Sequence, residues 1–202
     1  MDHATGFVLA GGKSSRMGRD KAFLVLDGRT LLERALEHLR AVTKRVMIVG
    51  QREKFAAYGE VVEDVYPECG PLGGIHAALT ASTTELNLVL AVDSPYVSAE
   101  LLGHVLGRAR NSPAVAVVPR AGGRLHPLCA VYRQSFRERA EAALRVGQHK
   151  IQALFTPDET LVLEEAELER LSFPAAMFEN VNTPEEFERA RRNIGPAVRQ
   201  HG

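Results

Sequence analysis

The sequence predicts an α/β fold in which a mainly parallel sheet lies between helices. Short apolar segments, several of them rich in β-branched residues, alternate with helical segments through the first half of the chain. The apolar segments lack a polar alternation, which is typical of parallel strands covered on both faces. The 202 residues, 45% of them hydrophobic, suffice for one domain with a sizeable core. Ligands are therefore expected at the carboxyl ends of the strands.

Five apolar runs are predicted to form the strands. They occupy residues 7–10, 46–49, 86–92, 115–118 and 128–132. The stretch between the last two runs, residues 119–127, contains glycine and proline and is predicted to be a surface loop.

The first helix is predicted from both its apolar face and its start signal. Five apolar residues fall on one face, namely Leu32, Ala35, Leu36, Leu39 and Val42. Thr30 and Glu33, three residues apart, have the spacing of a capping box.

Four further helices are predicted downstream. Three of them cover residues 74–81, 99–110 (behind Ser98) and 136–144. The fourth begins in "NTPEEFERARR", with Thr183 as cap, Pro184 at the first helical position and Glu186 as the capping-box partner.

Composition excludes several functional classes. Lysine plus arginine equal aspartate plus glutamate at 25 each, and few residues are aromatic, which disfavours a nucleic-acid binder. No apolar stretch approaches the length of a membrane span, and no signal peptide is recognisable, so a cytoplasmic protein is expected. Cys69 and Cys129 form no C-x-x-C pair and are expected to be reduced.

The stretch "FVLAGGKSSRMGRDKAFL" concentrates cations directly after the first predicted strand. A glycine turn here can present backbone N–H groups to an anion, and four cations follow within nine residues: Lys13, Arg16, Arg19 and Lys21. A Walker A loop is excluded because that motif requires glycine where Phe7 stands. The dinucleotide G-x-G-x-x-G pattern also fails, since Gly11 is followed directly by Gly12.

The remaining pattern, L-A-G-G-x-x-x-R-M-G-x-D-K, resembles the signature of the nucleotidyltransferases. The similarity is greatest to the molybdenum cofactor guanylyltransferases, which join GMP to molybdopterin. The resemblance implies a single-domain, three-layer, Rossmann-like nucleotidyltransferase fold over residues 1–202. It further implies a nucleotide-binding half at residues 1–98 and an acceptor-binding half at residues 99–195.

The same resemblance assigns roles to the residues of the signature. Leu9, Ala10, Gly11 and Gly12 match the backbone that holds GTP. Lys13 has no such match, and its charge alone leads us to expect that it offsets phosphate charge. Arg16 matches the arginine that packs against the phosphates. Lys21 matches the lysine that neutralises charge at the α-phosphate.

Asp64 and the G-P-L-G-G turn at residues 70–74 form a second segment of the expected nucleotide site. By themselves they indicate only a loop and a helix start. In the resembled family this aspartate and turn enclose the guanine and ribose, so Asp64 is expected to contact GTP.

"DSPY" follows the strand at residues 86–92 and carries the candidate metal ligand. Asp-Ser-Pro favours a turn, yet a carboxylate at this end of a strand can also hold Mg²⁺ against phosphate oxygens. The family has its metal-binding aspartate in this setting, so Asp93 is predicted to bind Mg²⁺, the expected cofactor.

Two later segments are assigned to the acceptor by resemblance. "HPLCAVY" borders the pterin side in the family, which implies roles for His126 and Pro127. "NVNTPEE" implies that Asn180 and Asn182 face the active site, although asparagine there can also be a simple helix cap. Some family members carry an asparagine after the second strand that contacts the nucleotide. The corresponding stretch here, "VMIVGQRE", has none, and Gln51 is the candidate substitute at the base.

The predicted reaction is transfer of GMP from GTP to the phosphate of Mo-molybdopterin, with release of pyrophosphate. Other proteins of molybdenum cofactor biosynthesis and apo-molybdoenzymes are candidate partners, and neither nucleic acid nor a membrane is expected. Alternatives are a cytidylyltransferase of the same cofactor, an enzyme for another phosphorylated acceptor, and a nucleotide-binding regulator without catalysis.

Overall fold

The strands of the protein follow the predicted alternation with helices. A computed structural model describes residues 4–11, 20–66 and 68–194. Within them the strands are β1 (Ala4–Leu9), β2 (Val25–Leu26), β3 (Arg29–Thr30), β4 (Arg45–Val49), β5 (Glu60–Val62), β6 (Leu86–Ala91), β7 (Ala116–Ala121), β8 (Arg124–Leu125), β9 (Cys129–Arg133) and β10 (Thr160–Leu163).

Helices connect most of these strands. The α-helices are α1 (Leu31–Val42), α2 (Arg52–Phe55), α3 (Gly70–Ala81), α4 (Ala99–Arg110), α5 (Phe136–Arg145), α6 (Glu165–Arg170) and α7 (Pro184–Ile194). Short 3₁₀ helices occur at Lys21–Phe23, Ile151–Leu154 and Ala175–Phe178.

One mixed sheet forms the centre of the molecule. In the described part of the chain its order is β10-β7-β9-β6-β1-β4-β5, with β8 paired to β7. The pairs β1–β4, β1–β6, β4–β5 and β7–β10 are parallel, whereas β9 runs antiparallel to both β6 and β7. The mostly parallel sheet confirms the predicted fold class. Because β9 lies between β6 and β7, both halves of the chain share one sheet and one domain.

Helices cover the sheet on both faces, which produces three layers. On one face, α1 and α4 pack against alternate strand residues such as Val8 and Leu90. On the other face, α3 and α5 cover Phe7 and Val89. Successive strand residues thus enter opposite cores, which explains why the strand sequences lack a polar alternation.

The strand order reverses at β1. The chain passes from β1 outward to β4 and β5, and then returns to place β6 on the other side of β1. Such a reversal leaves a crevice beyond the carboxyl ends of the two adjacent strands, where open α/β sheets bind their ligands.

Several boundaries differ from the prediction. Helix α3 begins at Gly70 rather than residue 74, because Pro71 fits the first turn of a helix. The predicted loop at residues 119–127 is partly a hairpin, in which β7 and β8 join through Gly122 and Gly123 with φ of 57° and 72°. The carboxylate of Glu165 accepts hydrogen bonds from both glycine N–H groups, at 2.9 and 3.4 Å.

Other elements carry weak signals in the sequence. The strands β5 and β10 are short edge strands, and α6 has only six residues. Helix α6 is held by its tertiary contact, in which Glu167 accepts from His104 of α4 at 3.1 Å. In the described ranges no helix has both the length and the apolarity that a membrane crossing would need.

Candidate active site

The ends of β1 and β6 define the centre of the site. The N–H of Val92 donates to the carbonyl of Leu9 at 3.1 Å, so the two strands stay paired up to their last residues. Gly11 and Asp93 therefore emerge side by side at the crevice of the sheet.

Lys21 reaches this crevice from a short 3₁₀ helix. Asp20 caps that helix by accepting from the N–H of Ala22 at 3.2 Å, and the Ala22 side chain is fully buried. The Lys21 Nζ donates to Asn182 Oδ1 at 2.7 Å and lies 3.6 Å from Asp93 Oδ2. Three residues that are far apart in the sequence thus meet at one ammonium group.

The Asp93 carboxylate lies in an environment that disfavours its ionised form. Burial raises its pKa, whereas the charge of Lys21 and its hydrogen bond oppose that rise. The Asp93 Oδ1 atom is buried and has no hydrogen-bond partner among the residues that the structure describes. A buried acceptor without a donor is a favourable position for a cation.

The segment before α7 is fixed to Asp93 through its backbone. The N–H of Val181 donates to the Asp93 carbonyl at 2.8 Å, and the Val181 side chain is buried. On either side of this anchor, Asn182 contacts Lys21 while Asn180 Oδ1 accepts from the Ser94 hydroxyl at 3.1 Å. Both asparagines therefore lie near Asp93, and their contact with the acceptor stays a prediction.

A capping box orders the start of α7 beside these asparagines. The N–H of Glu186 donates to Thr183 Oγ1 at 3.2 Å, and Glu186 Oε2 accepts from the Thr183 N–H at 3.1 Å. The same carboxylate oxygen accepts from the Asn182 N–H at 2.6 Å. This confirms the predicted roles of Thr183 and Glu186 at the helix start, and it shows that Asn182 can contact Lys21 while Thr183 caps the helix.

Asp64 lies at the start of the loop that leads to α3. Its Oδ1 accepts from the N–H of Tyr66 at 2.8 Å, while Oδ2 lies so close to Gly73 that an added Cβ would stand 2.8 Å away. Burial raises the pKa of Asp64, and the Tyr66 hydrogen bond and nearby His76 oppose the rise. The contact of Asp64 with GTP stays a prediction.

The described part of the glycine turn uses its backbone donors internally. The N–H groups of Ala10 and Gly11 both donate to the Val49 carbonyl, at 2.9 and 3.1 Å, and Leu9 packs in the core. The N–H groups of Ala10 and Gly11 are therefore already paired with backbone, and the contact of Leu9, Ala10 and Gly11 with GTP stays a prediction. Gly12, Lys13 and Arg16 lie outside the described residues.

His126 contacts the β7–β8 hairpin, and Pro127 contacts β9. The His126 Nε2 bonds to the Ala121 carbonyl at 3.0 Å, and its ring packs 4.6 Å from that of Phe178. The Pro127 carbonyl accepts from the Tyr132 hydroxyl at 2.8 Å. Burial lowers the pKa of His126. These contacts are structural, and binding of the acceptor by either residue stays a prediction.

Three residues with no role in the sequence-based site lie close to it. Ser94 bonds to Asn180, the Tyr66 N–H holds Asp64, and Lys54 Nζ donates to Asp20 Oδ2 at 3.0 Å. Ser94 belongs to the "DSPY" motif and could have been found there, whereas an exposed lysine such as Lys54 carries no signal in the sequence. Gln51 is exposed just before α2, and its role at the base stays a prediction.

Comparisons with known proteins identify the family. Residues 6–162 match the MobA-like NTP transferase domain. A molybdenum cofactor guanylyltransferase of Desulfosudis oleivorans is 32% identical over 197 residues, which cover 96% of this chain and 97% of that protein. Another of that name, from Syntrophotalea carbinolica, is 32% identical over 205 residues, with coverage of 100% and 96%.

A solved structure agrees with this assignment. The crystal structure of molybdopterin-guanine dinucleotide biosynthesis protein A from Archaeoglobus fulgidus aligns with a TM-score of 0.80 at 27% identity, covering 94% of this chain and 97% of that one. The matches confirm the family predicted from the L-A-G-G signature. The chain is therefore a nucleotidyltransferase of the MobA-like type and belongs to the molybdenum cofactor guanylyltransferase family.

Proposed function

We propose that this enzyme transfers GMP from GTP to the terminal phosphate of Mo-molybdopterin, forming the guanine dinucleotide cofactor and pyrophosphate. Family membership supports the reaction class and both substrates. The single observation that carries the proposal for this chain is the meeting of Lys21, Asp93 and Asn182 at the crevice between β1 and β6.

The reaction requires positioning and charge neutralisation rather than a covalent intermediate. A phosphate oxygen of the acceptor attacks the α-phosphorus of GTP, and the bond from that phosphorus to the bridging oxygen of the β-phosphate breaks. The acceptor phosphate has a second pKa near 6, so it is mainly dianionic at neutral pH and needs no protein base. Pyrophosphate leaves with the bonding electron pair.

Lys21 supplies the cation for this step. Its Nζ is held between Asn182 and Asp93, and the Lys21 side chain is 18% exposed, so the ammonium group is preoriented and its side chain is partly shielded from water. A fixed ammonium group in such a place stabilises the negative charge that develops on the transferred phosphate. Asn182 orients the ammonium through a neutral acceptor, which adds no negative charge to that of Asp93.

The residues present also fit a magnesium ion. Asp93 would hold it, because Oδ1 is a buried hard oxygen with no partner among the described residues. Within the described ranges no cluster of three or more His, Cys, Asp or Glu residues is present. An ion held by Asp93 would complete its coordination with substrate phosphates and water. When bound, Mg²⁺ would neutralise charge on the triphosphate.

The remaining assignments follow from the same proposal. Asp64 contacts the guanosine, while the half of the chain from residue 99 to residue 195, including His126 and Pro127, receives the pterin. We place the reaction in the cytoplasm, and free Cys69 and Cys129 thiols are what a reducing compartment maintains. Proteins that deliver the pterin or accept the finished cofactor would meet the enzyme there.

A product assay tests the proposal. The enzyme is incubated with Mg²⁺, Mo-molybdopterin and either GTP, CTP or ATP, and the product is identified by mass. We expect the guanine dinucleotide from GTP only. A cytosine product would replace the guanylyl assignment, and GTP binding without pyrophosphate release would indicate a regulator.

Two variants test, in the same assay, which residues carry the transfer reaction. Lys21→Ala and Asp93→Ala should each lower pyrophosphate release by about 100-fold or more, as expected for loss of one preorganised charge. Lys44→Ala is the matched control, because Lys44 is exposed and directly precedes the amino end of β4. Full activity in a folded Lys21→Ala protein would contradict the role of Lys21.

A further inference from the structure

Helix α2 packs against the 3₁₀ helix that carries Lys21. The Phe55 side chain is buried, and its ring centroid lies 5.7 Å from that of Phe23 at the end of the 3₁₀ helix. Tyr58 adds a second ring at 5.8 Å from Phe23. Helix α2 follows the carboxyl end of β4. These ring contacts therefore link the 3₁₀ helix of Lys21 to the side of the crevice next to β4.

A polar contact joins the same two elements. The two oxygens of the Asp20 carboxylate have different donors. Oδ1 accepts from the Ala22 N–H at 3.2 Å, and Oδ2 accepts from Lys54 Nζ at 3.0 Å. The side chains of Asp20 and Lys54 are 20% and 45% exposed. One oxygen thus caps the 3₁₀ helix, and the other is neutralised from α2.

This ion pair contributes little to folding. A pair with a half-exposed lysine changes an equilibrium by a factor of about five at most. The ion pair affects substrate binding in a different way from folding. Asp20 directly precedes Lys21, and the negative charge of Asp20 would repel a triphosphate if Lys54 did not compensate that charge. Compensation by Lys54 also keeps the carboxylate in the orientation that caps Ala22.

We propose that Lys54 is a positioning residue for the transfer reaction, acting on Lys21 through Asp20. Lys54 holds and neutralises the Asp20 carboxylate, so that the 3₁₀ helix presents Lys21 to an anionic nucleotide. This inference depends on the proposed function of the Lys21 site.

A double-mutant cycle separates this indirect role from direct contact with substrate. Lys54→Ala should lower kcat for pyrophosphate release by about three- to five-fold, the range for a half-exposed pair. The midpoint of thermal unfolding should stay that of wild type. Lys54→Arg should restore activity to within about two-fold because it keeps the charge. Lys44→Ala is again the control and should leave kcat unchanged.

The decisive background is Asp20→Asn. Asparagine keeps an oxygen that can cap Ala22 but removes the charge that Lys54 compensates. In this background Lys54→Ala should have no further effect on kcat. An equal loss in both backgrounds, or wild-type kcat in Lys54→Ala, would overturn the inference.

GTP binding without acceptor distinguishes failure of this inference from failure of the proposed function. Calorimetric titration with GTP and Mg²⁺ should show weaker binding for Lys54→Ala and no added effect in Asp20→Asn. If wild type binds GTP but forms no product from Mo-molybdopterin, the proposed function fails while the binding cycle still decides the role of Lys54. If product forms and the two substitutions act independently in both assays, only the inference fails.

Discussion

At the scale of single residues, Asp93 shows a conflict between folding and chemistry. Its carboxylate is buried, one oxygen has no partner in the described part of the chain, and its pKa is raised above the ordinary value. A raised pKa in the folded state means that the ionised form destabilises the fold relative to the neutral form. Keeping Asp93 ionised, as its proposed role requires, therefore lowers the free energy of unfolding.

Asp93→Asn should raise stability while removing activity. The folded state binds more protons than the unfolded state between pH 3.8 and the raised pKa, so wild type gains stability as pH falls through that window. The variant should therefore have the higher melting temperature at pH 7, and its advantage should shrink at pH 4. Thermal unfolding at both pH values measures this, and a less stable variant at pH 7 would contradict the burial argument.

At the scale of elements, the approach of α3 to the Asp64 loop depends on Gly73. A Cβ at this position would lie 2.8 Å from Asp64 Oδ2 and 2.9 Å from the Tyr66 carbonyl. Gly73→Ala should therefore displace the loop, destabilise the protein by about 1–3 kcal/mol and raise KM for GTP more than it lowers kcat.

The control for this change is a glycine in another helix. Gly107 of α4 has no atom within 4 Å of an added Cβ, so Gly107→Ala should stabilise the protein by about 0.5–1 kcal/mol through helix propensity. Urea unfolding and GTP kinetics of both variants provide the comparison. Equal effects at the two positions would show that close packing at Gly73 is unimportant.

The segment before α7 depends on one buried side chain. Val181 is 1% exposed, and its N–H bonds to the Asp93 carbonyl. Val181→Ala should destabilise the protein by about 2 kcal/mol and lower kcat, because Asn180 and Asn182 flank this anchor. Val146→Ala, at an 80% exposed position, should change neither the free energy of unfolding nor kcat. A loss of kcat without destabilisation would show that the segment is not anchored by burial.

At the scale of the whole molecule, one buried and two half-buried histidines make stability depend on pH. Burial lowers the pKa of His38, His76 and His126. Since the unfolded state then binds more protons below about pH 6.5, the free energy of unfolding should fall as pH decreases from 7.5 to 5.5.

His126→Gln tests one part of this dependence. Glutamine can donate to the Ala121 carbonyl as the Nε2–H of a neutral His126 does, but it does not titrate. Urea unfolding of this variant should show a shallower pH dependence than wild type. An unchanged slope in His126→Gln would mean that His126 is not buried in its neutral form.

Local signals allowed most elements to be predicted from the sequence. The capping boxes at Thr30 and Thr183 and the apolar runs of β1, β4, β6 and β9 depend on neighbours a few residues away. Short elements such as β5 and α6 were missed, because they are stabilised mainly by pairing with distant segments rather than by their own propensity.

The sequence by itself determined the α/β fold, the family signature and the residue types of the site. Only the tertiary structure decided which of these residues meet. Lys21 and Asn182, 161 positions apart, are joined by one hydrogen bond, and Asp93 Oδ2 lies 3.6 Å from the same ammonium group because the strand order reverses at β1 and brings the end of β6 beside the end of β1. It also showed that the Gly11 N–H is used by Val49 and that Lys54 neutralises Asp20. Short-range propensity and periodicity are encoded locally, whereas such contacts arise only when distant strand ends converge at one edge of the sheet.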